Sequence, residues 1–142
     1  MAGYSQVLDH RFERTLNINE EIKGFNKTIK SMSEFNRIEF IILYGSAARG
    51  DAISGSDIDL CIYYNADEKE DLSRFRLDIL SRLKGSVFDI RMFQQLPLYV
   101  RVEVLKGRII YTREQSFLYG IALDTIREFE SFKPRFHDYI YR

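Results

Sequence analysis

Between Glu39 and Leu60 the chain reads EFIILYGSAARGDAISGSDIDL, and this stretch restricts the possible folds more than any other. Phe40-Ile41-Ile42-Leu43-Tyr44 is an apolar run rich in β-formers, too short for a helix of its own. Closed by the Gly45-Ser46 turn, it is expected as a buried strand. Ser46-Ala47-Ala48 then suits a helix start, whose first-turn N–H groups have no partner inside the helix. Ten residues separate Ser46 from Asp57-Ile58-Asp59, which run into a second apolar segment, Leu60-Cys61-Ile62-Tyr63-Tyr64. Side chains alternate along a strand, so Asp57 and Asp59 share one face about 6.6 Å apart while Ile58 and Leu60 face a core. An anion-binding turn therefore stands beside a carboxylate pair, a combination that suits a magnesium–nucleoside triphosphate.

Around this stretch the periodicity alternates between helix and strand. Leu8, Phe12 and Leu16, then Ile18, Ile22, Phe25, Ile29 and Met32, follow steps of three and four and predict helix. Asn17 and Glu20 have capping-box spacing, so two helices are expected to meet there. Strands are expected at about 38–44, 57–64, 86–93 and 108–111, with a short helix after Gly45-Ser46. Asp67 and Glu70 form another candidate capping box for a helix carrying Leu72, Phe75, Ile79, Leu80 and Leu83, with Gly85 at its C′ position. In the third strand Phe88, Ile90 and Met92 take one face and Asp89 and Arg91 the other. Val100, Val102 and Val104 alternate as in a strand, but Pro97 suits a first helical turn and Gly107 a stop, which favours helix. A last helix is expected from about 114, broken or kinked at Pro134. Strands alternating with helices make the chain α/β or α+β around one central sheet.

The 142 residues are enough for one domain with a real core, here divided into an N-terminal helical segment (1–37), a core (38–111) and a C-terminal helical segment (112–142). Lys plus Arg (21) equals Asp plus Glu (21), so no global basic field exists to hold a nucleic-acid backbone, and a template-dependent polymerase is disfavoured. The lone cysteine, Cys61, leaves neither a disulfide framework nor a thiolate zinc site. With no signal peptide and no long apolar span, a cytoplasmic protein without a membrane role is the expectation. Nine tyrosines and eleven phenylalanines are more than so small a domain readily hides, so some are expected on a partner-facing surface.

Gly45-Ser46-Ala47-Ala48-Arg49-Gly50 followed by Ser56-Asp57-Ile58-Asp59-Leu60 resembles the defining motif of the DNA polymerase beta-like nucleotidyltransferases, and most closely their smallest members, the minimal nucleotidyltransferases. The resemblance spans roughly Ile38 to Tyr111. It implies a nucleotidyltransferase-like domain with a mixed sheet of about four strands flanked by helices. It also implies a third carboxylate on a following strand, where Phe88-Asp89-Ile90 falls. Asp57, Asp59 and Asp89 are then the expected catalytic and metal-holding residues for two magnesium ions about 3.5–4 Å apart, with Asp89 drawing the proton from the attacking hydroxyl. Gly45, Ser46 and Arg49 are the expected nucleotide contacts. Gly45 admits the phosphates without a Cβ in the way, and Ser46 and the helix start donate to the β/γ-phosphates. Arg49 lies on the same helix side, within reach of a phosphate.

Minimal nucleotidyltransferases of this size resemble the antitoxin half of toxin–antitoxin pairs. The implied reaction is transfer of AMP from ATP to a tyrosine of a helical HEPN toxin, releasing pyrophosphate. Two further functions stay open: a non-catalytic antitoxin that neutralises by binding, and an enzyme nucleotidylating a small molecule of the aminoglycoside kind. The roughly thirty residues after Tyr111 are few for the helical substrate domain such enzymes carry. Acceptor, base preference, the number of nucleotides added and any oligomer are not legible in the sequence.

Each residue also has a plainer role. Asp57 and Asp59 could mark a strand edge, Gly-Ser is a common turn dipeptide, and Arg49 could pair with Asp51 or a site carboxylate. Ser56 suits a turn, and Arg91 is expected to pair with Asp89. His10 and His137 stand alone, without ligand spacing.

Overall fold

The structure, a computed structural model, describes residues 18–49, 57–83 and 87–141, with residues 133–141 given by backbone alone. Residues 18–30 form helix α1. Ile22, Phe25 and Ile29 recur at steps of three and four, and all three are buried on one face. Met32, just past the helix, is buried as well. A 3₁₀ turn, Ser33–Arg37, leads into strand β1, Ile38–Tyr44. The expected helix over Leu8, Phe12 and Leu16 and its meeting with a second helix at Asn17, together with Ser56 and the Gly85 stop, lie outside the described residues.

The elements that follow are helix α2 (Gly45–Arg49), strand β2 (Ile58–Tyr64), helix α3 (Lys69–Arg82) and strand β3 (Phe88–Met92). A 3₁₀ turn at Phe93–Gln95 precedes helix α4 (Leu98–Leu105), strand β4 (Arg108–Thr112) and helix α5 (Gln115–Tyr141). The four strands make one mixed sheet in the order β3-β2-β1-β4. β1 pairs antiparallel with β2 and β4, and β2 pairs parallel with β3. A parallel pair needs a crossover of about a dozen residues or more, which α3 supplies.

β1 is flanked on both sides, and six of its seven residues are buried, as its near-continuous apolar run requires. One face of the sheet carries Ile41, Leu43, Leu60, Ile62, Ile90 and Met92 against α1 and α3. The opposite face carries Phe40, Ile42 and Cys61 against Phe93, Val104 of α4 and Leu118 of α5. Ile79 of α3 is fully buried, and truncating such a side chain to alanine costs roughly 2–5 kcal/mol. Aromatic rings fill the second layer. Tyr63 lies 5.2 Å from Phe40 and 5.1 Å from Phe117, ring centre to ring centre. Tyr99, Tyr119 and Phe132 are exposed, so part of the aromatic excess does reach the surface.

Two local expectations are corrected. The α3 N-cap is Glu68, whose N–H donates to the Asp71 carboxylate at 3.2 Å, rather than Asp67 with Glu70. The sequence Asp67-Glu68-Lys69-Glu70-Asp71 holds two overlapping acidic frames, and the chain uses the later one. The other is the break at Pro134: α5 is helical through it to Tyr141. A proline removes one N–H donor from the ladder, and the remaining turns carry the helix past it. The ambiguous segment between Pro97 and Gly107 is helix, as its boundary residues indicate.

A buried acid holds the far end of the sheet. Glu39 is 4% exposed. Arg113 donates to its two carboxylate oxygens at 2.8 and 3.4 Å and to the Asn36 carbonyl at 3.2 Å. The Arg113 backbone N–H also donates to the Glu39 carbonyl at 2.9 Å. This two-pronged ion pair locks the exit of β4 to the start of β1.

Candidate active site

The register of three strands builds the site. Tyr44 lies opposite Asp59 across β1 and β2, and Asp59 opposite Asp89 across β2 and β3. Directly opposed residues share a face, so Tyr44, Asp59 and Asp89 form one lateral row. The next row inward is Ile42, Cys61 and Arg91. The row of polar groups therefore stands at the rim of the α4/α5 side of the sheet, where that apolar layer ends.

Gly45 follows Tyr44 with a φ of +71°, a left-handed conformation that glycine adopts without a Cβ penalty. A Cβ built there would overlap the Asp59 carboxylate. The glycine is thus needed twice, for the turn and for the close approach of backbone to acid. It turns the chain into α2, which carries Ser46 and, at its last residue, Arg49. Arg49 is exposed.

Asp59 and Asp89 touch. Burial, the Asp89 charge, a hydrogen bond with Asp89 and the Asp57 charge all raise the Asp59 carboxyl above the usual carboxylate range. The Arg91 guanidinium opposes the shift, and its Nε lies 3.2 Å from Asp89 Oδ1. Burial and the charges of Cys61, Asp59 and Asp89 push the Tyr44 hydroxyl up to about 12, so it stays protonated at neutral pH. Burial alone raises the Cys61 thiol, which is an inert packing group here rather than a nucleophile.

Asp57 precedes β2 and is exposed, at the mouth of the site rather than in the ladder. The Ile58 N–H donates to the Val87 carbonyl at 2.7 Å, which aligns the starts of β2 and β3. The structure thus brings Asp59 and Asp89 into contact and leaves Asp57 within charge range of Asp59. Among the described residues no group of three His, Cys, Asp or Glu side chains is gathered closely enough to hold a metal by itself. Two touching carboxylates with Asp57 nearby do fit magnesium, which commonly takes one or two carboxylates and fills its other positions with phosphate oxygens and water. Carboxylates that resist joint ionisation are also the donors that a divalent cation relieves. His10 lies outside the described residues, as does the side chain of His137.

Tyr44 was not legible as a site residue. Its strand position was clear, but nothing in the sequence states which β2 residue it opposes.

A turn onto a short helix beside two acids on neighbouring strands of a mixed sheet defines a nucleotidyltransferase-type fold. The Polymerase beta, Nucleotidyltransferase family matches residues 26–116, and the chain belongs to that family. A Methanocaldococcus jannaschii protein named "Putative protein adenylyltransferase MJ1547" is 32% identical over 98 residues, covering 69% of each chain. Solved structures share the fold. One described as a toxin–antitoxin with AMP-PNP aligns with a TM-score of 0.63 at 19% identity, over 82% of this chain and 94% of the other. The MntA–HepT toxin–antitoxin aligns at 0.61 and 14% identity, over 86% and 95%. A complex of a tri-AMPylated Shewanella oneidensis HEPN toxin with its MNT antitoxin aligns at 0.61 and 17% identity, over 84% and 95%. Among the described residues no helix is long and apolar enough to cross a membrane.

Proposed function

We propose that this chain transfers AMP from ATP to a tyrosine hydroxyl of a helical HEPN toxin and so acts as its antitoxin. The observation that carries the reading is the contact of Asp59 with Asp89 directly behind the Gly45 turn. The adenylyltransferase name of the archaeal relative and the tri-AMPylated toxin in a solved complex of the same fold support the choice of AMP and of a protein acceptor.

Nucleotidyl transfer is an in-line attack of a hydroxyl on the α-phosphorus with loss of pyrophosphate, and positioning and charge neutralisation lower its barrier. Asp57, Asp59 and Asp89 would hold magnesium, which supplies charge neutralisation at the phosphates and a lowered barrier to deprotonating the acceptor. Gly45 keeps the space in front of Asp59 clear of side-chain atoms. Ser46 donates its hydroxyl to the β/γ-phosphates, and Arg49 offers a guanidinium from the end of α2. Asp89 accepts the proton of the attacking hydroxyl, while Tyr44 bounds the site as a neutral donor.

The test is incubation of the protein with α-labelled ATP, magnesium and the helical protein encoded beside it. Label is expected on a tyrosine of the partner, lost in Asp59→Asn and Asp89→Asn. Full neutralisation of the partner by a folded Asp59→Asn protein, with no label under any condition, would overturn the catalytic reading in favour of neutralisation by binding.

A further inference from the structure

At the end of the sheet away from the acids, a hollow of about 330 Å³ opens between the 3₁₀ turn Ser33–Arg37, the last residue of β2 and helix α3. Asp59 and Tyr64 are five residues apart on β2, so the hollow lies about 17 Å along the strand from the Asp59–Asp89 pair. It shares no residue with the candidate active site. One wall is Tyr64, whose ring stacks on Phe75 with centres 4.1 Å apart and has the Arg37 guanidinium 5.7 Å from its centre. Asp71, Phe75 and Asp78 recur at steps of four and three, so one side of α3 lines the hollow, with the two acids about 10.5 Å apart along the helix axis. Burial raises the Tyr64 hydroxyl, and the charges of Glu34 and Asp71 raise it further against the opposing Arg37 charge.

The arginines of the hollow already have partners. Arg37 Nη2 lies 2.9 Å from Asp67 Oδ1, and Arg74 Nη1 lies 3.4 Å from Asp71 Oδ1. Asp78 holds an exposed pair, with Arg82 Nε at 3.5 Å. Glu34 differs: its Oε2 is buried and has no hydrogen-bond partner among the described residues. Three acids against two arginines leave one negative charge in the lining, and adding the outside partners Asp67 and Arg82 leaves that balance unchanged. A buried carboxylate oxygen without a donor is costly, and a cation that brings N–H groups to it is favoured.

We propose that this hollow binds a linear polyamine, with one ammonium group on the Glu34 carboxylate beside the Tyr64 hydroxyl and a second on Asp78. An ammonium has three donors and no acceptor, which suits a carboxylate and a hydroxyl oxygen together. The alkyl chain between the two charges would lie against the Phe75 and Tyr64 rings. A compact metal ion would reach one acid only and leave most of the hollow unfilled, whereas a chain with separated charges reaches both acids. Arg74 and Arg82 hold their acids through solvent-exposed pairs, which are weak, so both side chains can swing aside at little cost. This site stands apart from the nucleotidyltransferase reading and does not depend on it.

The experiment is calorimetric titration of the full chain with spermidine at physiological salt, and one saturable site is expected. Glu34→Gln should weaken binding roughly ten- to hundredfold, as the loss of a hydrogen bond to a charged group does. Asp78→Asn should weaken it about two- to fivefold, in keeping with a more exposed pair. Butylamine, with a single charge, should bind less tightly than spermidine and be insensitive to Asp78→Asn. Asp89→Asn, at the other end of the sheet, should bind spermidine as wild type does. Amide NMR shifts of the wild-type protein on adding spermidine should centre on Glu34, Tyr64, Asp71 and Asp78, and melting curves establish that each variant is folded.

No saturable binding, or full binding by a folded Glu34→Gln protein, would overturn the proposal. So would loss of binding in Asp89→Asn, or wild-type shifts centred on Asp59 and Asp89, because the amine would then sit on the active-site acids. The wild-type shift map decides the matter even if Glu34→Gln fails to fold.

Discussion

Gly45 offers the sharpest single test of how backbone and site depend on each other. In Gly45→Ala the new Cβ meets two obstacles, a φ of +71° and the Asp59 carboxylate oxygen. Forcing an alanine into the left-handed region costs about 1–2 kcal/mol. For a chain of this length that corresponds to a fall in Tm of roughly 3–8 °C. The carboxylate can relieve the overlap by rotating, so the steric part appears chiefly as lost function rather than lost stability. A rotated Asp59 no longer meets Asp89 in the same way, and Mn2+ affinity should fall at least tenfold, about 1.4 kcal/mol. Thermal unfolding followed by circular dichroism gives the first quantity and calorimetric Mn2+ titration the second. A Gly45→Ala protein matching wild type in both would refute the argument that this glycine is required by its conformation and by its contact with Asp59.

Three further expectations follow from the same packing. Gly107→Ala places a Cβ against the Leu43 carbonyl and 2.9 Å from Ile42 Cγ2, obstacles that belong to the central strand and cannot swing aside, so it should lower Tm more than Gly45→Ala in the same melting assay. Arg113→Ala strands the buried Glu39 carboxylate and should cost roughly 2–4 kcal/mol in urea unfolding, with part of the loss recovered when Glu39→Gln is added. The raised Asp59 carboxyl makes the folded state bind its proton more tightly than the unfolded chain does, so its burden on stability is absent at low pH and develops as pH rises from the ordinary aspartate range through the folded value. Asp59→Asn should therefore match wild type in Tm below that window and exceed it above, and a difference independent of pH would contradict the assignment.

How much of this was legible beforehand depends on how local each feature is. β1, β2 and α4 were readable because an apolar run, an alternation or a Pro97/Gly107 boundary is written within a few residues. The Asp59–Asp89 contact was readable through the motif, since two acids on neighbouring strands are implied once Gly45-Ser46 and Asp57-Ile58-Asp59 stand at their spacing. The position of Asp57 outside the ladder was not, because alternation says which face a residue takes and not where pairing begins. Nor was the Glu39–Arg113 lock, whose partners lie 74 residues apart and meet only after β4 has paired with β1. Tyr44 joined the site for the same reason, through an antiparallel register that no short window of sequence contains.

That register has a further effect on the protein's working life. Among the described residues β3 pairs with β2 alone, so its alignment there rests on five residue pairs. A slip of a single position would carry Asp89 through the sheet to the side occupied by α1 and α3 and bring an apolar neighbour forward in its stead. Most of the layers would survive such a slip, yet the acid pair would be gone. Heat, truncation or a poorly chosen substitution at this margin should therefore silence the chain well before it melts.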